Sequence, residues 1–388
     1  MGEVGLFWLL LPLAALSGWF MRGRRESPHD APDGFTTNYF RGLNYLLNEQ
    51  PDKAIEVFLK IAEVDSNTVE THLALGSLFR RRGEVDRAIR FHQNLISRPG
   101  LSDEQKKQAL LELGEDFMRA GLLDRAEKLF VELVEAESYT PSAIEHLIAI
   151  YQQERDWQHS IEYAKRLQEV SGRDMRPVTA QFYCEMAQTA LNDGQPDVAL
   201  SNLKRAQRTH SGCVRASLME GRIALVQGDY DRSIKALQRA VDQDLDYLPE
   251  VLEPLLTAYA KADREDEAIA YLKQTLTRYR GISPVLALAE FVQRREGKQA
   301  AVDFIGEQLK IRPSVRGLDY LIGLNLRDSD GQARENLLIL SELTSRLLAN
   351  KPVYRCGHCG FGARSHHWQC PSCKQWNSVK PIHGVAGE

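Results

Sequence analysis

Four cysteines carry the clearest chemistry in the sequence. Cys356-Gly357-His358-Cys359-Gly360 and Cys370-Pro371-Ser372-Cys373 are two C-x-x-C turns with ten residues between them. Each turn points two thiolates at one centre, so two turns complete a tetrahedron about a single metal ion. Zinc and iron both accept four thiolates in that geometry, and the residues leave the choice between them open. His358, His366 and His367 lie close by, but Cys356, Cys359, Cys370 and Cys373 already fill a four-coordinate site. The other two of the six cysteines, Cys184 and Cys213, stand alone within helical segments and read as small buried apolar residues. This distribution suits a reducing compartment and one metal site better than a disulfide framework.

The segment around these knuckles is too short to bury a core of its own, although Tyr354, Phe361, Trp368 and Trp376 crowd into it. Metal and a docked neighbour must therefore help to fold it. Residues 351–388 carry five Lys or Arg and one acidic residue, and a basic ribbon of this kind can bind nucleic acid. The whole chain, at 388 residues, has a net charge of −4, so no global field draws in a phosphate polymer, and a nucleic-acid partner is disfavoured.

The elements that must position this module repeat along the chain. From about residue 35 to 313 a pattern returns every 33 to 39 residues: a small residue, an aromatic three further on, then Ala or Ser about nine later and often a bulky apolar residue four beyond that. Gly42, Tyr45, Ala54 and Phe58 form the first set, and Gly114, Phe117, Ala126 and Phe130 the third. In the second, Gly76, Phe79 and Ala88 are followed by His92 in the bulky place. The small residues let two helices approach closely, and Gly83, Gly121, Gly194 and Gly228 lie where a helix must end in a left-handed turn. The pattern resembles the tetratricopeptide repeat, a 34-residue helix-turn-helix unit; the alternative is an irregular helical bundle. Eight such units imply a superhelix whose first helices face a concave groove. By register that groove would be lined by Tyr39, Leu43, Arg80, Arg81, Glu115, Met118, Gln152, Gln188 and Arg222. The lining mixes apolar, acidic and basic groups, which suits a protein segment, though solvated side chains would read the same way. Residues 314–350 look like one more helix pair, the second helix leucine-rich, capping the array.

Val4–Met21 is an uncharged apolar run of 18 residues, about 27 Å long as a helix and sufficient to span a hydrocarbon core. A cleaved signal peptide would want a basic leader, whereas here Glu3 precedes the run and Arg22, Arg24 and Arg25 follow it. The positive-inside rule then puts the N-terminus in the periplasm and the bulk of the chain in the cytoplasm. No zinc-protease, phosphate-loop or dinucleotide motif is present, so nothing in the sequence argues for an enzyme.

The expected fold is all-α, a tetratricopeptide-repeat superhelix with an N-terminal transmembrane helix and a small C-terminal four-cysteine knuckle, rubredoxin-like or zinc-ribbon-like. The expected divisions are an anchor (1–21), a cytoplasmic linker (22–34), the repeat array (35–313), a terminal helix pair (314–350) and the metal module (351–388).

The C-G-F that follows the first knuckle and the C-P-S-C of the second are similar to rubredoxin knuckles, which favours iron by resemblance, although rubredoxins separate their knuckles more widely. The order of anchor, arginine cluster, repeats and knuckles resembles the lipopolysaccharide assembly protein B family. The resemblance is carried most closely by L-F-R-R-R-G-E-V-D-R-A-I-R (78–90) and by Y-R-C-G-H-C-G-F and W-Q-C-P-S-C-K-Q-W within 354–376. It implies a single-pass inner-membrane scaffold that regulates lipopolysaccharide synthesis and promotes degradation of the deacetylase LpxC by the membrane protease FtsH. It also implies contacts with other lipopolysaccharide synthesis and assembly proteins and with a membrane-embedded regulator. A rubredoxin-like redox carrier and a tethered nucleic-acid-binding ribbon are the alternatives from other classes.

Overall fold

The structure, a computed structural model, describes residues 33–48, 50–64, 69–349, 351–385 and 387–388, and of residues 33–39 and 61–64 the backbone alone. The apolar run Val4–Met21 and nearly all of the linker 22–34 lie outside the described residues. Among those described, no helix is long and apolar enough to cross a membrane.

Eighteen α-helices follow one another among the described residues, joined mostly by tight turns: α1 (Asp33–Leu47), α2 (Pro51–Val64), α3 (Val69–Arg81), α4 (Val85–Ile96), α5 (Asp103–Arg119), α6 (Leu123–Glu135), α7 (Thr140–Glu154), α8 (Trp157–Ser171), α9 (Arg176–Asn192), α10 (Pro196–Thr209), α11 (Val214–Gln227), α12 (Tyr230–Gln243), α13 (Leu248–Lys261), α14 (Glu265–Arg278), α15 (Ser283–Glu296), α16 (Lys298–Ile311), α17 (Val315–Leu326) and α18 (Gly331–Ala349). Three short strands close the chain, β1 (Tyr354–Cys356), β2 (Gly362–Ala363) and β3 (Val379–Pro381). The chain divides into two compact units, one up to Ile150 and one from Tyr151 to Glu388, with the boundary inside α7.

The turns explain the period. In the second helix pair Gly83 has φ +86°, its N–H reaches the Arg80 carbonyl at 3.1 Å, and the N–H of Glu84 reaches the Phe79 carbonyl at 2.9 Å. This left-handed cap satisfies carbonyls that the helix end would otherwise orphan. The same bond recurs from Leu122 to Phe117, Asp156 to Tyr151, Asp229 to Ala224 and Arg264 to Tyr259. Arg155 and Asp263 adopt the left-handed conformation where glycine is missing, at φ 59° and 57°.

The paired helices meet at the small residues. A Cβ added to Gly114 would lie 2.6 Å from the Phe130 ring, and one added to Gly221 would lie 2.5 Å from Leu237. The bulky residue is sixteen positions beyond its glycine in both cases, so helix approach and side-chain filling are one contact. Each unit buries its own core. Ala54, Phe58, Leu75, Phe79 and Ala88 belong to a cluster in the first, and Leu237, Tyr247, Val251, Leu255 and Tyr259 to one in the second.

In the second pair the bulky place holds His92, and polarity there demands a partner. A Cβ on Gly76 would lie 2.2 Å from the ring. His92 Nδ1 lies 2.5 Å from the fully buried Asp116 carboxylate, whose other oxygen accepts from Arg80 at 2.6 Å. Buried charge persists where it is paired in this way. At the far end, α18 meets α17 through Thr344, whose hydroxyl bonds Asp319 at 2.6 Å, while Leu340, Leu343 and Leu347 stay exposed.

Candidate metal centre and its seat on the repeats

The two knuckles are built alike. In the first, the Cys356 N–H donates to the Phe361 carbonyl at 2.8 Å and Gly360 returns a bond to the Cys356 carbonyl at 3.0 Å. In the second, Cys370 donates to Gln375 and Lys374 returns a bond to Cys370, both at 2.9 Å. Gly360 and Lys374 both take positive φ, 78° and 60°. Each turn thereby folds its two thiols to the same side. An antiparallel three-stranded sheet in the order β2-β1-β3 holds the first knuckle, with Tyr354 opposite both Ala363 and Pro381. A bridge between Gln369 and Trp376 closes the second.

The four Sγ atoms lie within 4.8 Å of one another, and the Cys356–Cys373 and Cys359–Cys370 pairs are each 3.7 Å apart. Thiolates at about 2.3 Å from a tetrahedral ion sit about 3.8 Å from each other, so the donor set fits one zinc or iron ion. Their protonation is uneven. The Ser378 hydroxyl and then the backbone N–H of Cys359 hold Cys356 down, to about 5, while burial pushes Cys373 up to about 12. A cation is what brings all four together as thiolates, and loading releases protons. Bound there, the ion supplies a structural cross-link, because four cysteines leave it no open position.

The ribbon is not free-standing. It lies across residues from the first helices of five successive pairs, together with the short segment before α13. Trp368 stacks on Tyr247 with ring centroids 5.1 Å apart, and Trp376 meets Phe182 edge-on at 6.1 Å. The Arg215 guanidinium lies 5.7 Å from the Trp368 ring and 6.0 Å from the Trp376 ring. Gln152 Oε1 accepts from Trp376 Nε1 at 3.0 Å and from Gln369 Nε2 at 3.2 Å. Gln181 Nε2 donates to Asn377 Oδ1 at 3.2 Å. Lys380 pairs with Asp244 and lies over the Tyr247 ring, and the Tyr354 hydroxyl bonds Glu250. Beyond β3, Glu388 accepts from the Ser283 hydroxyl at 2.6 Å and pairs with Arg316. Two half-buried tryptophans packed on the buried rings of Tyr247 and Phe182, and a row of satisfied polar bonds, make this a packed interface.

His366 sits inside it, edge-on to Trp368 at 4.5 Å, to Tyr247 at 5.3 Å and to Tyr354 at 5.7 Å. Burial, then the neighbouring charges of His367 and Lys380, hold its imidazole down, to about 4.

The groove candidates fare differently. Tyr39 lies on α1, and its side chain is outside what the structure describes. Leu43 packs against the core cluster of the first unit. Arg80 is ion-paired to Glu112 at 2.7 Å, Glu115 at 2.8 Å and Asp116 at 2.6 Å, and Glu115 also bonds His146 at 3.1 Å. Arg80, Arg81, Glu115 and Met118, joined by Arg119 and His146, line an open cavity of about 590 Å³. Gln152 is taken up by the ribbon. Gln188 is exposed and bonds Asn192, and Arg222 is exposed. Sequence reasoning missed Gln181, Phe182, Arg215, Tyr247 and Glu250 as the ribbon's seat. The one available signal was the crowd of aromatics in the ribbon, which demanded a docked neighbour without saying where.

Stacked helix pairs bearing a four-thiolate ribbon define a tetratricopeptide-repeat protein with a rubredoxin-type metal module. Family profiles agree: one described as a rubredoxin metal binding domain matches residues 354–381, and tetratricopeptide-repeat profiles match 71–104 and 184–247. Lipopolysaccharide assembly protein B of Escherichia coli strain K12 is 38% identical over 385 residues, covering 98% of this chain and 99% of the relative. The protein of the same name from Haemophilus influenzae is 34% identical over 394 residues, covering 98% of each. The chain belongs to the lipopolysaccharide assembly protein B family. Among solved structures it is similar to YrrB, described as a TPR protein with an unusual peptide-binding site (17% identity, TM-score 0.33, 54% of this chain and 99% of that one). It is also similar to the C-terminal part of a TPR repeat-containing protein from Cytophaga hutchinsonii (15% identity, TM-score 0.43, 62% and 94%).

Proposed function

We propose that the chain is a non-enzymatic adaptor of lipopolysaccharide assembly, anchored in the inner membrane by Val4–Met21 with its body in the cytoplasm. In this reading it presents the deacetylase LpxC to the membrane protease FtsH and helps gather lipopolysaccharide enzymes, under the control of a membrane-embedded regulator. Family membership supports the process. The structural observation that carries the adaptor reading is the seated ribbon. It contacts first-helix residues of five successive helix pairs, from Gln152 to Ser283, while the N-terminal unit keeps an open cavity lined by Arg80, Arg81, Glu115 and Met118. One unit is thereby stiffened and the other is left with a surface of mixed charge for a protein segment. A tether shared with the protease raises the effective concentration of client at the site of cleavage.

The test is the cellular half-life of the deacetylase with the full-length chain, a chain lacking residues 1–21, a chain lacking the ribbon, and complete deletion. The full-length chain is expected to shorten the half-life, and both truncated chains to lose that effect. If full-length protein and deletion give the same half-life, the adaptor reading is wrong. A reporter fused after residue 40 that is active only in the periplasm would overturn the topology. For the ion, iron by resemblance and zinc by chemistry both fit, and elemental analysis of the intact protein with its thiolate-to-iron absorption band decides between them.

A further inference from the structure

Beneath the ribbon lie the two cysteines outside the metal set. Cys184 on α9 and Cys213, the residue that caps α11, are both fully buried, and their Sγ atoms are 3.7 Å apart. Two apolar fillers would need no polar company, yet this pair has it. The fully buried Gln181 points its amide nitrogen at Cys213 Sγ, 3.7 Å away, and the same nitrogen donates to Asn377 of the ribbon. The Gln181 carbonyl oxygen and Arg215 Nε, both buried, have no hydrogen-bond partner among the described residues. Arg215, two residues beyond Cys213, lies under the ribbon's tryptophans. Thus the thiol pair, its polar neighbours and the ribbon form one connected cluster.

We propose that Cys184 and Cys213 are a thiol–disulfide exchange site, covered by the seated ribbon and opened when the ribbon leaves, whose oxidising co-substrate is a low-molecular-weight disulfide. The two thiols have different roles. Cys213 sits at a helix N-terminus, where backbone N–H groups favour an anion. The bond from Cys184, then the N–H of Ala216 and the Arg215 charge, hold it below the ordinary thiol range. Burial first, and then its bond to Cys213, pushes Cys184 up. Cys213 thiolate therefore attacks the small disulfide, forming a mixed disulfide and releasing one thiolate. Cys184 then attacks Cys213 Sγ, the Cys184–Cys213 bond forms, and its thiol proton leaves with the second small thiol. The protein dithiol loses two electrons and the small disulfide gains them, ending as two thiols. Closure needs the sulfurs to move from 3.7 Å to about 2.05 Å.

The experiment uses the intact metal-loaded chain in detergent micelles, incubated with oxidised glutathione and mapped by mass spectrometry after digestion. The linked Cys184–Cys213 peptide is expected, forming at least tenfold faster in Trp376→Ala, which loosens the ribbon, than in the parent chain. Cys184→Ser should trap glutathione on Cys213, and Cys213→Ser should leave Cys184 unmodified; Cys184→Ala and Cys213→Ala repeat the assignment should a serine not be tolerated. Helicity is checked by circular dichroism in every arm. Absence of the linked peptide in both parent and Trp376→Ala chains overturns the site. Equal rates in the two overturn the cover, and capture of glutathione by Cys184 overturns the assigned roles. None of these readouts involves the deacetylase, so their failure is distinct from failure of the adaptor reading.

Discussion

Arg80 in the N-terminal unit and Arg215 in the C-terminal unit both lie on first helices of their pairs, and they are satisfied in opposite ways. Arg80 is ringed by three carboxylates of its own array and borders an open cavity. Arg215 has one carboxylate partner, Glu185 at 2.7 Å, and two tryptophans of the ribbon beside it. A repeat face whose charges are matched internally can stay wet. One that presents Phe182, Tyr247 and Gln152 together leaves apolar and amide groups for another segment to cover. The same architecture thus yields a face that is available and a face that the chain occupies itself.

The largest effect expected is on the covered side. Replacing Cys356 or Cys373 with Ser should abolish metal binding and cost the ribbon roughly 10 kcal/mol, the scale of a structural metal site. Amide exchange should become fast over 354–381, while α1–α6 stay protected because repeats rest mainly on their neighbours. Stoichiometric metal in the Cys→Ser chain would refute the four-thiolate site.

Two substitutions separate the faces at intermediate cost. Trp368→Ala removes the ring stacked on Tyr247 and should weaken docking by roughly 3–5 kcal/mol, with the metal retained. Arg80→Ala leaves Asp116 and His92 as a buried pair without its cation. It should destabilise the N-terminal unit by roughly 3–5 kcal/mol with no effect on the ribbon. Its exposed neighbour serves as control, since Arg81→Ala should stay within about 0.5 kcal/mol. Exchange protection read separately in α3–α6 and in 354–381 checks all three. If Arg80→Ala unfolded the ribbon first, the two faces would not be energetically separate.

These particulars also show what a sequence exposes. The repeat architecture was legible because a glycine and its bulky partner recur at fixed spacing, and Gly114 and Phe130 do meet. The four-thiolate ribbon was legible because each knuckle is local, its bonds spanning only a few residues. The seat was not, because Gln152, Gln181, Arg215, Tyr247 and Glu250 come from successive helix pairs and share no period. Leu43 illustrates the same limit, since a register assignment cannot tell a residue facing a groove from one that packs into the core beside it. The polar partner of His92 was equally hidden. His92 stood out in a place held by Phe58, Phe130 and Leu237 in other pairs, but Asp116 becomes its neighbour only through packing of the next helix pair.

Acid should sharpen the comparison through His366. Its imidazole lies among Tyr247, Tyr354 and Trp368, facing the positive charges of Lys380 and Arg215 and the neighbouring His367, and is held down to about 4 from an ordinary value near 6.5. A histidine whose folded value is lowered binds its proton more readily once undocked. The seated state is therefore unpenalised above pH 6.5, loses stability as pH falls through that value, and has lost the full amount below about 4. A shift of this size corresponds to roughly 2–3 kcal/mol after discounting for incomplete burial. Urea titrations followed by tryptophan fluorescence should show a docking transition moving to lower urea between pH 6.5 and 4, with metal content monitored so that thiol reprotonation is not mistaken for it. His366→Leu should flatten the dependence across that window while leaving the ion in place. If parent and His366→Leu lose docking in parallel, the pH dependence belongs to the knuckle thiols and not to the interface. The covered face would then owe its sensitivity to acid to its metal alone.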